Sequence, residues 1–384
     1  MENSEERLRQ EAVRMHLKGI SVSKIARELS KSRQWIYKWI SRYNSSPNSD
    51  WYKEESRAPK SQSIRISGMI ENSVIEIRKS LSSNSYSQKG ATSILYEMKR
   101  LGLNTTSVST INRILKRNDL ISLKKTKSGK PKEYPNHYLD VQQMDLIGPR
   151  YLKGGFKYYI YTIIDINNHM AGAYPIVNKS AKNITECLID FWSEYQMPDY
   201  LQMDNELSFR GSNRHPRGLG LLLRTAISNG VTPVFIPPAE PWRNGIIEKF
   251  NDNVGKRFLT QPFLSWEDIQ IKAKEFTDFH NMNHRYSSQG NKTPYELLSE
   301  IKYLSKLDKQ IDLDKKIRIE KGYLIFIRFI RSDLKLNLLN SSFIVSEQLM
   351  YSYVEAFVQI EKHTLVVIHH NKVYHYFEFP MPMS

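Results

Sequence analysis

Apolar residues recur at helical spacing near the start of the chain. Leu8 and Ala12 share one face of a first helix. A second helix is predicted to begin after Ser21 or Ser23, because serine often caps the N-terminus of a helix. A third helix is predicted over residues 33–43, so this segment is expected to fold as three short helices.

The third helix has the features of a helix that reads DNA. Ser32 can cap its start, and Ile36 and Ile40 give it one apolar face. In a helix-turn-helix unit, the last helix enters the major groove with its early side chains near base edges. A three-helix bundle without a nucleic-acid role is the alternative. The predicted DNA contacts are Arg33, Gln34 and Tyr37 at base edges, and Lys38 and Arg42 at phosphates.

A second helical pattern occupies residues 66–120. Ile70 and Ile77 mark its first helix, and Ser107 or Ser109 can cap its last. A second helix-turn-helix unit is expected, with a plain helical spacer as the alternative. The residues on its predicted reading helix are Thr110, Asn112 and Arg113.

Strand and helix patterns alternate between residues 137 and 305. Two of the runs rich in β-branched and aromatic residues are joined by a predicted hairpin turn at Lys153-Gly154-Gly155. Three strands followed by alternating helices and strands predict an α/β core with a mixed five-stranded sheet. The predicted strands are 141–146, 156–165, 169–177, 200–203 and 232–236.

The last part of the chain, residues 315–384, has strand patterns throughout. Several short β runs in so few residues predict a small β-barrel. Its basic residues are candidate contacts to DNA or to a partner subunit, and a barrel with only a packing role is the alternative. These residues are Arg328, Arg331, Lys335 and Lys372.

Positive charge is concentrated in the N-terminal third. The formal net charge is +16, and residues 1–136 hold 27 Lys and Arg against 13 Asp and Glu, whereas residues 137–384 hold 29 against 27. Such a surplus predicts a polyanionic partner for the N-terminal segments. The segment 121–136 is expected to be a basic linker, solvated by default and able to follow a DNA backbone.

Cysteine content and hydropathy limit the cellular setting. The single cysteine, Cys187, excludes a disulfide within the chain and a zinc site built on paired cysteines. No apolar run reaches about 18 residues, and the charged N-terminus lacks the apolar segment of a secretory signal. We therefore expect neither export nor membrane insertion, but a place in a reducing cytoplasm.

Three carboxylates are candidates for one metal site. Asp145 and Asp204 come at the ends of predicted strands, and Glu248 lies on the first turns of a predicted helix. Hard oxygen ligands of this kind are what Mg²⁺ requires. Asp140 and Asp165 are rival acids nearby, and each acid taken alone also fits an ordinary carboxylate at a strand or helix end.

This pattern resembles the catalytic core of insertion-sequence transposases and retroviral integrases. The matching segments are Gln143-Met144-Asp145, Met203-Asp204-Asn205, Pro237-Pro238, Asn244-Gly245 and Glu248-Lys249-Phe250-Asn251. The resemblance implies a ribonuclease-H-like fold and a catalytic Asp, Asp, Glu triad at Asp145, Asp204 and Glu248. It also implies two Mg²⁺ or Mn²⁺ ions, with the first Asp bridging both, and the second Asp and the Glu each holding one.

Two departures from the family pattern stand out. Asp204 and Glu248 are 44 positions apart, longer than in most relatives, and the excess is assigned to a loop at Arg210–Gly220. Many relatives also carry Lys or Arg seven positions after the Glu, where this chain has Gly255. Lys256, one position later, is the candidate substitute. The residues predicted to position DNA near the triad are Asn205, Arg243, Asn244, Lys249 and Lys256.

The chain is thus predicted to be multidomain. All-α helix-turn-helix modules at 1–48 and 66–120 follow each other across a linker at 49–65, and the basic linker leads to the core at 137–305 and the barrel at 315–384. The leading hypothesis is a transposase or integrase acting on double-stranded DNA, both element ends and target, as a homo-oligomer assembled on that DNA. The alternatives are a catalytically inactive DNA-binding derivative and a nuclease that cuts without joining.

Overall fold

The structure is a computed structural model that describes residues 4–54, 66–121, 133–211, 217–308 and 310–382. The predicted linkers at 49–65 and 121–136 and the predicted loop at Arg210–Gly220 each lie partly outside the described residues. The chain divides into two compact units, Met1–Ile66 and Ser67–Ser384.

The first unit contains the three predicted helices. They are α1 (Ser4–Leu17), α2 (Val22–Glu28) and α3 (Arg33–Ser45). Ser32 caps α3 as expected, since its side chain accepts a hydrogen bond from the backbone N–H of Trp35. Burial of one apolar face from each helix holds the unit together, and its core contains Ala12, Val13, Ile25, Ile36 and Trp39.

The second unit begins with the other three predicted helices, α4 (Gly68–Ser83), α5 (Ala91–Arg100) and α6 (Val108–Arg117). Ser107 caps α6 by accepting from the backbone N–H of Thr110. These helices contact the α/β part of the same unit. Gln88 Nε2 lies 2.8 Å from His284 Nε2 and donates to the Arg285 carbonyl at 2.9 Å.

A nine-stranded mixed sheet forms the centre of the second unit. Its strands are β1 (Val141–Tyr151), β2 (Lys157–Asp165), β3 (Ala171–Ile176), β4 (Tyr200–Met203), β5 (Thr232–Phe235), β6 (Tyr323–Phe329), β9 (Tyr353–Gln359), β10 (Thr364–His369) and β11 (Lys372–Glu378), with β7 (Lys335–Leu338) and β8 (Ser341–Ile344) as a separate pair. The strand order in the sheet is β11-β10-β9-β6-β5-β4-β1-β2-β3. The pairs β1–β4, β4–β5 and β5–β6 are parallel and the others antiparallel.

Helices cover both faces of this sheet. Consecutive residues of β2 show the two faces, because Ile163 packs with α7 and α9 while Ile164 packs with α10 and α11. Ser180 caps α7, with its side chain accepting from the backbone N–H of Asn183. The helices are α7 (Ala181–Glu194), α8 (Leu207–Arg210), α9 (Leu221–Ser228), α10 (Gly245–Asn253), α11 (Trp266–Asn283) and α12 (Pro294–Ser299).

The prediction of a five-stranded sheet is wrong, and the separate C-terminal barrel is not confirmed. β6 pairs in parallel with β5, so the C-terminal strands β6, β9, β10 and β11 extend the central sheet. Phe235 and Phe326 stack across this junction with ring centroids 4.7 Å apart. One hydrophobic core also runs from α7 and α9 to the C-terminal strands. Strand patterns predict strands but not their neighbours, which is why the sequence left this pairing open.

Candidate active site

Asp145 and Asp204 lie on neighbouring parallel strands. The register of β1 and β4 ends with Gln143 opposite Gln202. Asp145 and Asp204 each come two residues later, so continuing the register carries both carboxylates to the same edge of the sheet. Asp204 directly follows β4, whereas β1 continues past Asp145 to Tyr151 as the partner of β2.

Two buried glutamines hold the start of α10 against these strands. The backbone N–H of Ile247 donates to Gln143 Oε1 at 3.0 Å. Gln202 Nε2 donates to Asn244 Oδ1 at 2.7 Å and to the preceding backbone carbonyl at 3.1 Å. Glu248 lies in the first turn of α10, so these bonds direct the third acid toward the edge that carries the other two.

The carboxylate of Asp145 is partly buried and lies in the field of neighbouring acids. Its Oδ1 accepts from the backbone N–H of Leu146 and its Oδ2 from Asn251 Nδ2, each at 2.8 Å. Burial, together with the negative charges of acids that include Asp204 and Glu248, raises the pKa of Asp145 to about 6. A bound cation would relieve this repulsion.

Asp204 is held by the loop that follows it. Its Oδ1 accepts from the backbone N–H of Glu206 at 2.9 Å, and Glu206 forms an ion pair with Lys179. Burial raises the pKa of Asp204, and the charge of Glu206 adds to that rise. Glu248 is exposed on α10. Within the part of the chain that the structure describes, no three His, Cys, Asp or Glu side chains lie close enough to hold a metal ion as they stand.

The two rival acids have other surroundings. Asp165 is fully buried and accepts from the backbone N–H groups of Asn167 and Asn168 and from Gln196 Nε2. It therefore holds the turn between β2 and β3. Asp140 precedes β1 at its opposite end, where burial and the charge of Asp165 raise its pKa to about 6.

The charged carboxylate of Asp145 is expected to lower the stability of the metal-free protein, with its full effect reached above about pH 6. Its charged form is disfavoured in the folded state, so the penalty is absent below its ordinary pKa of 3.8, grows as pH rises to about 6 and is constant beyond. Asp145→Asn should therefore raise Tm at pH 7.5 by about 2–5 °C, corresponding to about 1–3 kcal/mol. The gain should nearly vanish at pH 4. Thermal unfolding in EDTA at both pH values measures this, and an equal shift at both would contradict it.

The predicted DNA contacts of the helical modules lie on helix surfaces. On α3, Arg33, Gln34 and Lys38 are exposed, and the exposed fraction of Tyr37 is 60%. Arg42 is half-buried, with its Nη1 donating to the Lys53 carbonyl at 3.2 Å. On α6, Asn112 and Arg113 are exposed and Thr110 is half-buried beside its cap.

The predicted contacts near the triad divide into two groups. Lys249 and Lys256 are exposed on the Glu248 side of α10 and of the π-helical turn Val254–Phe258, where they line a surface cavity of about 650 Å³. Lys256 Nζ also pairs with Asp252 at 2.6 Å on the same surface. The other three side chains are buried or half-buried and bonded within the protein. Asn244 accepts from Gln202, Asn205 donates to the Ile236 carbonyl, and Arg243 pairs with Glu240. DNA contacts by all five residues stay predictions.

Sequence reasoning assigned no role to Gln143, Gln202 or Asn251. A signal for the two glutamines was present, because each precedes its aspartate by two positions and so shares its strand face. A polar side chain at a buried strand position needs a hydrogen-bond partner. For Asn251 the signal was weaker, because its spacing of three from Glu248 is common to any pair on one helix face.

The fold and the candidate site together define a class of protein. A mixed sheet carries two acids at one edge of neighbouring parallel strands, and a third acid lies in the first turn of α10. This is an α/β core with a candidate site for metal-dependent phosphoryl transfer, preceded by helical modules of DNA-binding type.

Comparison with known families agrees with that class. A profile described as a homeodomain-like domain matches residues 3–48, and one described as an integrase core domain matches residues 229–294, which include Glu248. The chain thus matches a homeodomain-like domain in one segment and an integrase core domain in another, and its resemblance to transposases and integrases is confirmed. A search of curated proteins finds no match.

Solved structures similar to the chain come from retroviral integrases. The HTLV-2 integrase catalytic core domain in complex with magnesium is 15% identical, with 41% of this chain and 94% of that chain covered and a TM-score of 0.31. The catalytic core domain of BIV integrase is 18% identical, with 42% and 93% covered and a TM-score of 0.32. A simian T-cell lymphotropic virus intasome in complex with PP2A regulatory subunit B56 gamma is 11% identical, with 76% and 93% covered and a TM-score of 0.37. Because these TM-scores are low, the resemblance to integrases rests on the two domain matches.

No helix in the described ranges has the length and apolar character needed to cross a membrane.

Proposed function

We propose that this protein is a DNA transposase or integrase that cuts and joins phosphodiester bonds at the ends of a mobile element, using Mg²⁺ or Mn²⁺. The observation that carries the proposal is the register of β1 and β4, which brings Asp145 and Asp204 to one edge beside the helix of Glu248. The integrase core domain match over residues 229–294 supports the same assignment.

The donor set fits a hard divalent cation. Asp145, Asp204 and Glu248 supply carboxylate oxygens. Burial and the charges of neighbouring acids raise the pKa of Asp145, and a bound divalent cation would offset that repulsion. Two bound ions would activate the attacking oxygen and stabilise charge on the leaving oxygen. Asp145 would contact both, Asp204 one and Glu248 the other. Because Glu248 is exposed, its side chain has room to turn toward the aspartates and complete the ligand set.

The proposed reaction is an in-line displacement at phosphorus. In cleavage, the oxygen of water forms a bond to phosphorus as the bond to the 3′ oxygen breaks, which leaves a 3′-hydroxyl and a 5′-phosphate. In strand transfer, that 3′-hydroxyl attacks a target phosphodiester, and a target 3′ oxygen leaves and is protonated. Such displacements depend on positioning and charge neutralisation. We expect Lys249 and Lys256, which are exposed beside Glu248, to hold phosphates during both steps.

The helical modules would select the DNA. The homeodomain-like match over residues 3–48 and the exposed side chains of α3 support sequence reading by that helix. Joining two element ends to one target requires two sites, so we expect a homo-oligomer assembled on double-stranded DNA.

Substitutions on α3 should separate base reading from phosphate binding. Arg33→Ala is expected to weaken binding to the specific site by about 1–3 kcal/mol and to leave non-specific binding nearly unchanged. Lys38→Ala should weaken both and reduce the slope of log affinity against log salt by about 1. Fluorescence anisotropy at several salt concentrations measures both effects. Arg14→Ala on α1 removes the same charge as a control, and a loss there equal to that of Arg33→Ala would contradict base reading by α3.

A second candidate is a DNA-binding protein that has lost catalysis. The observation in its favour is that, over the described residues, the acids do not form a closed metal site. Duplexes made from inverted repeats flanking the gene, incubated with the full chain, a plasmid target and Mg²⁺ or Mn²⁺, distinguish the two. Cleaved ends joined to the plasmid would support the transposase. Sequence-specific binding without any product would support the inactive derivative.

A further inference from the structure

A buried arginine connects the C-terminal strands to the candidate active site. Arg328 on β6 is 8% exposed, and its guanidinium donates to the carbonyls of Ile236, Ile327 and Asn337 at 3.1, 2.9 and 3.2 Å. Its Nη2 donates to Asn205 Oδ1 at 2.7 Å. The sequence suggested that Arg328 contacts DNA or a partner subunit, and its burial makes that suggestion wrong.

The partner of this arginine is the residue next to a proposed metal ligand. Asn205 directly follows Asp204, and its Nδ2 donates to the Ile236 carbonyl at 2.7 Å. Arg328 donates to that same carbonyl and to Asn205 Oδ1. The three groups form a closed set of hydrogen bonds that joins the chain after β4, the chain after β5 and strand β6. The backbone that carries Asp204 is therefore fixed from the C-terminal side.

A second contact reaches the other side of the site. The Tyr353 hydroxyl, on β9, lies 2.8 Å from both carboxylate oxygens of Glu240 and accepts from Arg243 Nη2 at 2.9 Å. Glu240 and Arg243 belong to the segment that leads into α10 and Glu248. C-terminal strands thus contact the segments flanking two of the three acids.

We infer that the C-terminal strands are part of the catalytic unit and that Arg328 is a positioning residue, which holds Asp204 for metal binding through Asn205. The inference rests on the proposed function, because it assigns Asp204 to a metal site. Hydrogen-bond partners of metal ligands orient them, and their loss commonly lowers metal affinity by about 10- to 100-fold. Burial lowers the pKa of Arg328 to about 10, so its guanidinium stays charged at neutral pH.

The test uses variants of the full chain that remove the connection in different ways. Asn205→Ala removes the contact at Asn205 and leaves Arg328 its three backbone carbonyls, so the protein should still fold. Arg328→Lys keeps the charge with fewer donors, and Arg328→Met removes every donor. Arg318→Met makes the same change at an exposed position of the segment that leads into β6 and is the matched control.

Two measurements separate positioning from a purely structural role. Mn²⁺ binding to the DNA-free protein is followed by the electron paramagnetic resonance signal of free Mn²⁺, and the cleavage rate is measured across Mn²⁺ concentrations. Asn205→Ala should raise both the Mn²⁺ dissociation constant and the half-saturating Mn²⁺ by about 10-fold, with the maximal rate largely recovered at high Mn²⁺. Arg328→Lys should show a smaller rise in both, and Arg318→Met should match the wild type. The Tm of Asn205→Ala should stay close to that of the wild type.

Several outcomes would overturn the inference. If Asn205→Ala and Arg328→Lys bind Mn²⁺ as the wild type does, Arg328 has no positioning role, and the proposed function stands on wild-type activity alone. A lowered Tm with unchanged Mn²⁺ dependence would show a structural role only. If Arg328→Met fails to fold, the other two variants decide the matter. A wild type that neither binds Mn²⁺ nor cleaves DNA would overturn both the function and the inference.

Discussion

Replacing any one of Asp145, Asp204 and Glu248 by the matching amide is expected to lower DNA cleavage and strand transfer by about 10³-fold or more. Each amide keeps the size of the side chain but removes a negative charge that binds metal, and losing several kcal/mol of transition-state stabilisation corresponds to that factor. Asp145→Asn should do this while stabilising the metal-free protein, because it removes a buried charge. Gel assays of labelled element ends in Mg²⁺ and Mn²⁺ measure both reactions.

DNA binding provides the internal control for these variants. Affinity for the element end should remain within a few-fold of the wild type, because the helical modules are unchanged. Glu275→Gln, which removes a charge at an exposed position of α11, should leave cleavage unaffected. Full activity in any of the three amide variants would remove that residue from the triad.

Deleting residues 315–384 is expected to prevent the α/β core from folding. The deletion removes β6, exposes the edge of β5 and opens the core that the C-terminal strands share with α7 and α9. The deletion removes many buried apolar side chains, among them Leu324, Phe326 and Val358, and burial of each contributes about 1.5–3 kcal/mol. The sum over all of them exceeds the net stability of a folded protein, which is usually about 5–15 kcal/mol. Residues 137–305 expressed alone should aggregate and show no cooperative thermal transition.

Removing the other end of the chain should have the opposite result. Met1–Ile66 is a separate compact unit, so residues 67–384 should unfold cooperatively with a Tm close to that of the full chain. Circular dichroism melts of the two truncated proteins make the comparison. A soluble, cooperatively folding fragment 137–305 would show that the C-terminal strands form an independent domain after all.

Local signals predicted the elements well. Ser32 and Ser107 each cap the helix expected from the sequence, because the cap and the helix that it starts are adjacent in the chain. β1 was predicted to end at residue 146 but runs to Tyr151, since pairing with β2 continues past Asp145. The extension depends on a partner strand, which local pattern does not specify.

The sequence supplied the acids of the candidate site but not the residues that support them. Asp145, Asp204 and Glu248 were chosen from motifs, and the parallel register that brings the two aspartates together agrees with that choice. Arg328 was named as a candidate contact to DNA or a partner subunit, whereas the structure buries it. Only the pairing of β6 with β5 places it next to Asn205, 123 positions away.

By itself the sequence determined the helices, most strands, the N-terminal concentration of positive charge and the three acidic candidates, since each of these follows from residues close together in the chain. Only the tertiary structure decided that the C-terminal strands continue the central sheet and that Arg328 supports the loop after Asp204. The physical reason is that strand pairing and buried polar contacts join residues far apart in sequence, and their geometry exists only once the chain has folded.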